Sequence, residues 1–240
     1  MSKSLVIIPT YNEKENIETI IRRVFSLETP FDILVVDDNS PDKTSDIVIN
    51  LQQEFSHRLF LEIRKVKDGL GRAYVHGFKW ALANNYDYIF EMDADFSHNP
   101  EDLPRLLESL KTEADLVIGS RYLTGVNVVN WPMNRVLMSY FASKYVKFIT
   151  GLPTHDSTAG FVGYKAKVLQ TLNLDNIRFK GYGFQIEMKY KSWVKGFKLV
   201  EIPIIFTNRV LGQSKISTDI MGEAVFGIIA MRISKMIGKL

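Results

Sequence analysis

Three clusters of acidic and polar residues have types and spacing that could do chemistry together: Pro9-Thr10-Tyr11-Asn12-Glu13, Asp37-Asp38-Asn39-Ser40 and Asp93-Ala94-Asp95. Carboxylates that share a site repel and raise one another's pKa. A divalent cation, or the hydrogen-bond donors of a ligand, resolves that conflict. Asp93 and Asp95 flank one residue and project to the same side. Two carboxylates plus phosphate oxygens suit Mg²⁺ or Mn²⁺, which keep waters and share phosphate ligands. The structural alternative is that Asp95 caps the helix before Pro100 and Asp93 merely ends a strand.

The elements around the clusters decide how they meet. Leu5–Pro9, the run Ile33–Val36 inside Asp32–Asp37, and residues 59–66, 86–92 and 114–119 read as strands. Between them, Glu13–Phe25 carries Ile17, Ile20, Ile21 and Val24 at helical spacing, and 71–84 and 101–111 read as further helices. Ser40 is placed to cap a helix whose first residue is Pro41. Strands alternating with helices imply an α/β fold: a Rossmann-like, mostly parallel sheet flanked by helices. Ligands of such sheets bind at the carboxyl ends of the strands, where all three clusters fall. The second half is more aromatic. There, 132–149 reads as a helix, 159–164 and 199–206 as strands, and 218–237 as an amphipathic terminal helix. A composition shift near residue 121 marks two lobes of one domain.

Composition narrows the function classes. Hydrophobic residues at 46% and charged residues at 24% exclude a disordered or collagenous chain. With no cysteine there is no disulfide, thiolate zinc site or Cys nucleophile, which fits a reducing, cytoplasmic setting. A net charge of +3 is too mild to argue for nucleic acid, yet it does not oppose an anionic ligand or membrane surface. The longest apolar stretch, Ala224 to Met231, falls well short of the roughly 20 residues a spanning helix needs. His57, His76, His98 and His155 are scattered, which counts against a zinc hydrolase; His98 is expected to help the turn at Asn99-Pro100. Gly69-x-Gly71 lacks the third glycine of a dinucleotide fingerprint, which counts against a dehydrogenase.

The three clusters, with Gly69-Leu70-Gly71-Arg72-Ala73, Gly119-Ser120-Arg121-Tyr122, Asn134-Arg135-x-x-x-Ser139 and Asn208-Arg209-x-x-Gly212-x-Ser214-Lys215, resemble the inverting family-2 glycosyltransferases of the GT-A fold. The last two motifs narrow the resemblance to the polyprenol-phosphate (dolichol-phosphate) mannose synthases. It implies a catalytic domain over 1–217, with a nucleotide-binding lobe at 1–120 and an acceptor lobe at 121–217, followed by the helix at 218–240. It further implies a nucleotide pocket from Pro9, Tyr11, Glu13, Val36 and Asp38. Asp93, Ala94 and Asp95 would meet the diphosphate, with Mg²⁺ or Mn²⁺ on the two carboxylates. Ser97 stands where some relatives carry a further metal-side Gln. Arg209 and Lys215 would close over the diphosphate, Arg121, Arg135 and Ser139 would hold the acceptor phosphate, and Arg121 would also meet the nucleotide. Asp95, Arg121, Arg135 and Lys215 are the implied catalytic set. Taken alone, each cation also reads as a solvated surface charge. Many relatives carry a basic residue after Gly160-Phe161, where this chain has Val162; Asp156, in the same loop, reads as structural or acceptor-side.

The implied reaction moves mannose from GDP-mannose to a polyprenyl phosphate. It needs no general base, because a phosphate monoester has its second pKa near about 6. Positioning and charge neutralisation do the work. The aromatic, basic helix at 132–149 and the terminal helix could lie on a membrane, bind a membrane-protein partner, or simply pack on the sheet. Glucose from UDP-glucose is the near alternative, and an inactive membrane-surface scaffold the non-enzymatic one. A sugar nucleotidylyltransferase would place a glycine-rich basic loop after the first strand, where this chain has Pro9-Thr10-Tyr11-Asn12-Glu13.

Overall fold

A computed structural model describes residues 2–208 and 219–237. In chain order the elements are β1 (Ser4–Thr10), α1 (Ile17–Phe25), β2 (Asp32–Asp37), α2 (Thr44–Glu54), β3 (Leu59–Ile63), α3 (Leu70–Ala83), β4 (Tyr88–Glu91), α4 (Leu103–Thr112), β5 (Leu116–Ser120) and β6 (Val128–Val129). They continue with α5 (Met133–Thr150), β7 (Val162–Lys165), α6 (Ala166–Thr171), α7 (Tyr182–Val194), β8 (Leu199–Pro203), β9 (Phe206–Thr207) and α8 (Asp219–Met236).

Seven strands form one sheet in the order β3-β2-β1-β4-β7-β5-β8. Side chains alternate between its faces. Leu5, Ile7, Leu34 and Val36 face a core completed by α3 and α7, while Val6, Ile8, Ile33 and Val35 face one completed by α1 and α4. Burying each such side chain contributes roughly 1.5–3 kcal/mol. That double burial is why the strands read as unbroken apolar runs.

Only β7 runs against its neighbours, antiparallel to both β4 and β5. Its reversal brings the loop that precedes it to the edge where β1, β2, β4 and β5 end. The parallel strands and the reversed one therefore feed a single edge.

Several boundaries differ from the sequence expectation. Helix α2 starts at Thr44 rather than Pro41, because the Ser40 hydroxyl is committed to Asp37 Oδ1 (2.6 Å). Asp42 Oδ1 instead accepts from the Thr44 amide at 3.0 Å. Residues 199–206 split after Pro203 into β8, paired with β5, and β9, paired with β6. Helix α1 begins at Ile17, and α6 and α7 were not anticipated. Helix α8 matches the expected terminal helix in extent, but among its described side chains the apolar ones are not confined to one face. Ile228 and Met231 are buried, while Ile229, Ile233 and Met236 are exposed. The boundary expected at residue 217 lies outside the described residues.

Candidate active site

A cleft of about 520 Å³ opens along the shared edge. Pro9, Tyr11, Glu13, Asp38 and the Asp93-Ala94-Asp95 loop line it, and Arg121 and Arg135 line its other end. Val36 is buried in the core and does not line it. Ser139 also stands outside the cleft, beside the Tyr122 hydroxyl. Arg209 and Lys215 lie outside the described residues.

At the β1/β2 end, Asp37 is a buried tie. It accepts from the Thr10 hydroxyl (2.7 Å) and from the Ser40 amide (2.8 Å), and Ser40 in turn accepts from the Asn12 amide (3.0 Å). Asn12 and Asn39 take the left-handed backbone these tight turns need, at φ 56° and 54°; Asn tolerates it. Asp38 is left to face the cleft. Its Oδ1 sits 3.0 Å from Arg64 Nη1, in poor hydrogen-bond geometry. Burial raises the Asp38 carboxyl, and the Arg64 charge opposes that. The Lys67 ammonium stands 4.1 Å from the centre of the Tyr11 ring. Gly69, at φ 91°, and Gly71 let α3 start against the chain at Lys180, where any Cβ on Gly71 would meet Phe179 O at 2.8 Å. That contact sets Lys180 beside Asp68 at the cleft rim.

The turn after β4 is held from both sides. Asp95 Oδ1 accepts from the Ser97 amide (3.1 Å) and hydroxyl (2.6 Å), and Phe96 between them takes φ 61°, uncommon for an aromatic. Asp95 is therefore not the cap of the following helical segment; Asn99 is, accepting from the Glu101 amide. The His98 ring is buried, stacks on Phe161 at 4.9 Å, and accepts from the Asp93 amide at Nδ1 (3.1 Å). Burial lowers its pKa to about 4, so it is neutral, with the proton on Nε2. His98 thus pins Asp93 rather than merely helping the Asn99-Pro100 turn.

Asp93 and Asp95 both line the cleft and bring two carboxylates to it. Among the described residues no group of three or more acidic or imidazole side chains could hold a metal. The pair fits a Mg²⁺ or Mn²⁺ ion that completes its shell with water and phosphate oxygens. Ser97 turns its hydroxyl to Asp95.

At the β5 end, Arg121 is buried and bidentate to Asp156, Nε to Oδ2 at 2.6 Å and Nη2 to Oδ1 at 2.7 Å. Nη2 also donates to the Thr158 hydroxyl (2.8 Å), and the Arg121 amide donates to Asp156 (3.0 Å). Burial alone would raise the Asp156 carboxyl; the Arg121 charge and hydrogen bonds hold it below its ordinary value. Glu201 accepts from the amides of His155 (2.7 Å) and Asp156 (2.9 Å), which fixes the loop. Asp156 is thus a buried anchor for Arg121. Arg135 stacks over Trp131 at 4.1 Å and donates to Asn208 (3.3 Å).

Sequence reasoning missed Tyr74, Thr158, Gln185 and Phe206, all of which line the cleft. For Gln185 a signal existed: Gln185, Glu187, Lys189 and Ser192 are polar residues set among Phe184, Ile186, Met188 and Tyr190. All eight are buried. Beneath the cleft, burial raises the Glu91 carboxyl to about 7 against a hydrogen bond from Gln185, and lowers the Lys189 ammonium to about 8 against the Glu91 charge.

Residues 5–172 match the model of glycosyl transferase family 2. The chain belongs to glycosyl transferase family 2. Within the family it is 47% identical over 224 residues to the undecaprenyl-phosphate mannosyltransferase of Micrococcus luteus, covering 93% of this chain and 91% of the relative. It is 45% identical over 226 residues to the polyprenol monophosphomannose synthase of Mycolicibacterium smegmatis, covering 94% and 85%. The fold is also that of glucosyl-3-phosphoglycerate synthase from Mycobacterium tuberculosis, solved with Mn²⁺, uridine diphosphate and phosphoglyceric acid. The TM-score is 0.68 at 17% identity, over 98% of this chain and 78% of that one. The same enzyme has been solved with Mg²⁺ and uridine diphosphate (TM-score 0.67, 19% identity, 98% and 79% covered).

Proposed function

We propose that this family-2 transferase moves mannose from GDP-mannose to a polyprenyl phosphate, with inversion, giving a β-linked product. One observation carries the reading. The charged cleft adjoins an apolar groove of about 580 Å³, lined by Tyr122, Val126, Met133, Leu137, Tyr140 and Phe141. Tyr122 lies on that groove and is the chain neighbour of Arg121, which lines the cleft. A ligand with a phosphate head and an isoprenoid tail fits the two together. The activities named for the Micrococcus and Mycolicibacterium relatives support the same substrates.

In this reading residues 1–120 bind the donor and 121–217 the acceptor. Tyr11 offers a face to the base, and Glu13 and Asp38 accept from base or ribose. Asp93 and Asp95 would hold Mg²⁺ or Mn²⁺, which supplies charge neutralisation to the departing diphosphate. Arg135, with its planar fork, grips the lipid phosphate, and Arg121, locked on Asp156, sets the positive wall beside it. The acceptor needs no proton removed, and the neutral His98, turned to the Asp93 amide, is not needed as a base. In-line attack by the lipid phosphate on the anomeric carbon inverts it.

The exposed faces of α5 and α8, with Phe141, Phe148, Ile233 and Met236, rest on the cytoplasmic surface of a membrane. None of the helices of the described residues is long and apolar enough to cross one. The test is transfer of radiolabelled sugar into an organic-extractable lipid, with GDP-mannose and UDP-glucose offered separately with a polyprenyl phosphate and Mg²⁺ or Mn²⁺. Label from GDP-mannose alone is the expected result. Label from UDP-glucose alone, or an α-linked product, contradicts the reading.

A further inference from the structure

The groups that read the transferred sugar belong to neither the carboxylate pair nor the arginines, because sugar hydroxyls are neutral and need both donors and acceptors. The sheet order says where to look. If the proposed function holds, the sugar lies between a diphosphate at the end of β4 and an acceptor phosphate at the end of β5, over the strand β7 that separates them.

An uncharged amide, carried by α7, sits there. Gln185, on α7, lines the cleft and is 4% exposed. Its Nε2 donates to Glu91 Oε2 on β4. Its Oε1 accepts from Lys189 Nζ at 3.3 Å, and the same ammonium donates to Ala159 O (2.7 Å) just before β7. The Tyr164 hydroxyl, from β7, donates to Glu91 Oε1 at 2.8 Å. Glu91, Tyr164 and Lys189 are all fully buried.

This arrangement fixes the amide. An ammonium has donors only, so Oε1 must face Lys189 and Gln185 cannot flip. An amide carries two N–H groups and two lone pairs, and among the described residues Gln185 spends one of each on Glu91 and Lys189. One donor and one acceptor remain, in fixed places, beside the cleft. Burying two ionisable groups to orient one amide costs free energy. A residue that only filled space would not need it.

We propose that Gln185 reads the hydroxyl groups of the donor's hexose, and that Glu91, Tyr164 and Lys189 are positioning residues that hold its amide in one orientation. The inference rests on the proposed function and adds the sugar-reading group to it. A site built to hydrogen-bond a hydroxyl discriminates strongly against a ligand that misplaces it, because the buried partners are left unpaired.

The test compares wild-type protein with Gln185→Met, which keeps chain length and loses the amide, and Glu91→Gln. The second places an amide opposite an amide and sets Gln185 between the demands of residue 91 and Lys189. Transfer is measured from GDP-mannose and from its epimer GDP-glucose, and GDP affinity is measured separately by calorimetry. Gln185→Met is expected to lower kcat/KM for GDP-mannose by about 10- to 100-fold and to erase most of the preference between epimers. GDP affinity should stay within about twofold, since GDP lacks the transferred hexose. Glu91→Gln should show a smaller loss in the same direction. Wild-type rate and preference in Gln185→Met, or a parallel loss of GDP affinity, overturns the inference while leaving the proposed function standing. If Gln185→Met does not fold, an unchanged epimer preference in Glu91→Gln overturns it. Wild-type protein that transfers neither sugar overturns the proposed function, and this inference with it.

Discussion

The two ends of the cleft are built differently. At the end proposed to bind the donor, Asp95 and Asp37 each accept from a serine two or three residues away, Ser97 and Ser40, and one longer tie joins Asp37 to Thr10, 27 residues off. At the end proposed to bind the acceptor the ties are long. Arg121 and Asp156 are 35 residues apart, and Asp156 and Glu201 are 45 apart. A locally closed turn can lose one functional carboxylate and keep its shape. A buried charge network assembled from distant segments loses shape and function together. Donor-side variants should therefore separate chemistry from folding, and variants in the acceptor-side network should not.

The largest effect belongs to Asp95→Asn. Its transfer rate is expected to fall at least about 100-fold, the scale of removing one group that stabilises transition-state charge. Its melting temperature should stay within about 3 °C, because the loss amounts to roughly 1 kcal/mol of hydrogen bonding. Assay and melt on one preparation check both.

Asp156→Ala should do the reverse. Removing one partner of a buried pair costs about 3–5 kcal/mol, a melting-temperature drop of roughly 6–20 °C. The pH dependence sharpens the point. With its folded pKa held below the ordinary 3.8, Asp156 contributes stability that is complete above 3.8 and lost as pH falls through the lower folded value. Wild-type protein should weaken on acidification in that window, and Asp156→Asn should lack that component in denaturant titrations at stepped pH.

Phe141→Asp, on the apolar groove, should raise KM for a long-chain polyprenyl phosphate by about 10-fold, as expected from roughly 1.5 kcal/mol of lost burial. A short soluble analogue should be unaffected, and an equal rise for both would remove the groove from the acceptor path. The smallest effect is Lys67→Ala, which uncovers the Tyr11 ring. An exposed cation–π contact is worth roughly 0.5–1 kcal/mol, so GDP affinity should move by less than about fivefold.

The difference between the ends also explains what could be read from the sequence. The meeting of the three acidic clusters at one edge was legible because each follows an apolar run buried on both faces, and parallel strands force their loops to one edge. Ser40 was misread as a helix cap because Ser-Pro is a strong local signal; a tertiary demand, closing the turn on Asp37, outweighed it. Helix α7 was not legible, since Gln185, Glu187 and Lys189 interrupt an apolar period for reasons that exist only once Glu91 and Ala159 stand opposite. Glu187 likewise spends Oε2 on the amides of Arg178 (2.8 Å) and Phe179 (3.0 Å). Asp156 was expected to be structural or acceptor-side, but its partner, Arg121, was not legible. No local spacing links a loop before β7 to the end of β5, and only the antiparallel insertion of β7 brings them together.

The most direct test of this division of labour is calorimetric binding of GDP, and separately of a short polyprenyl phosphate, to wild-type protein and Arg135→Ala. Arg135, the cation proposed to hold the acceptor, stacks on Trp131 instead of sitting in the buried pair, so its removal spares the Arg121–Asp156 network. GDP affinity is predicted to be unchanged, with the lipid phosphate weakened by about 10-fold or more, the scale of a lost charge-assisted hydrogen bond. Equal weakening of both ligands, or of neither, would contradict a cleft divided between donor and acceptor.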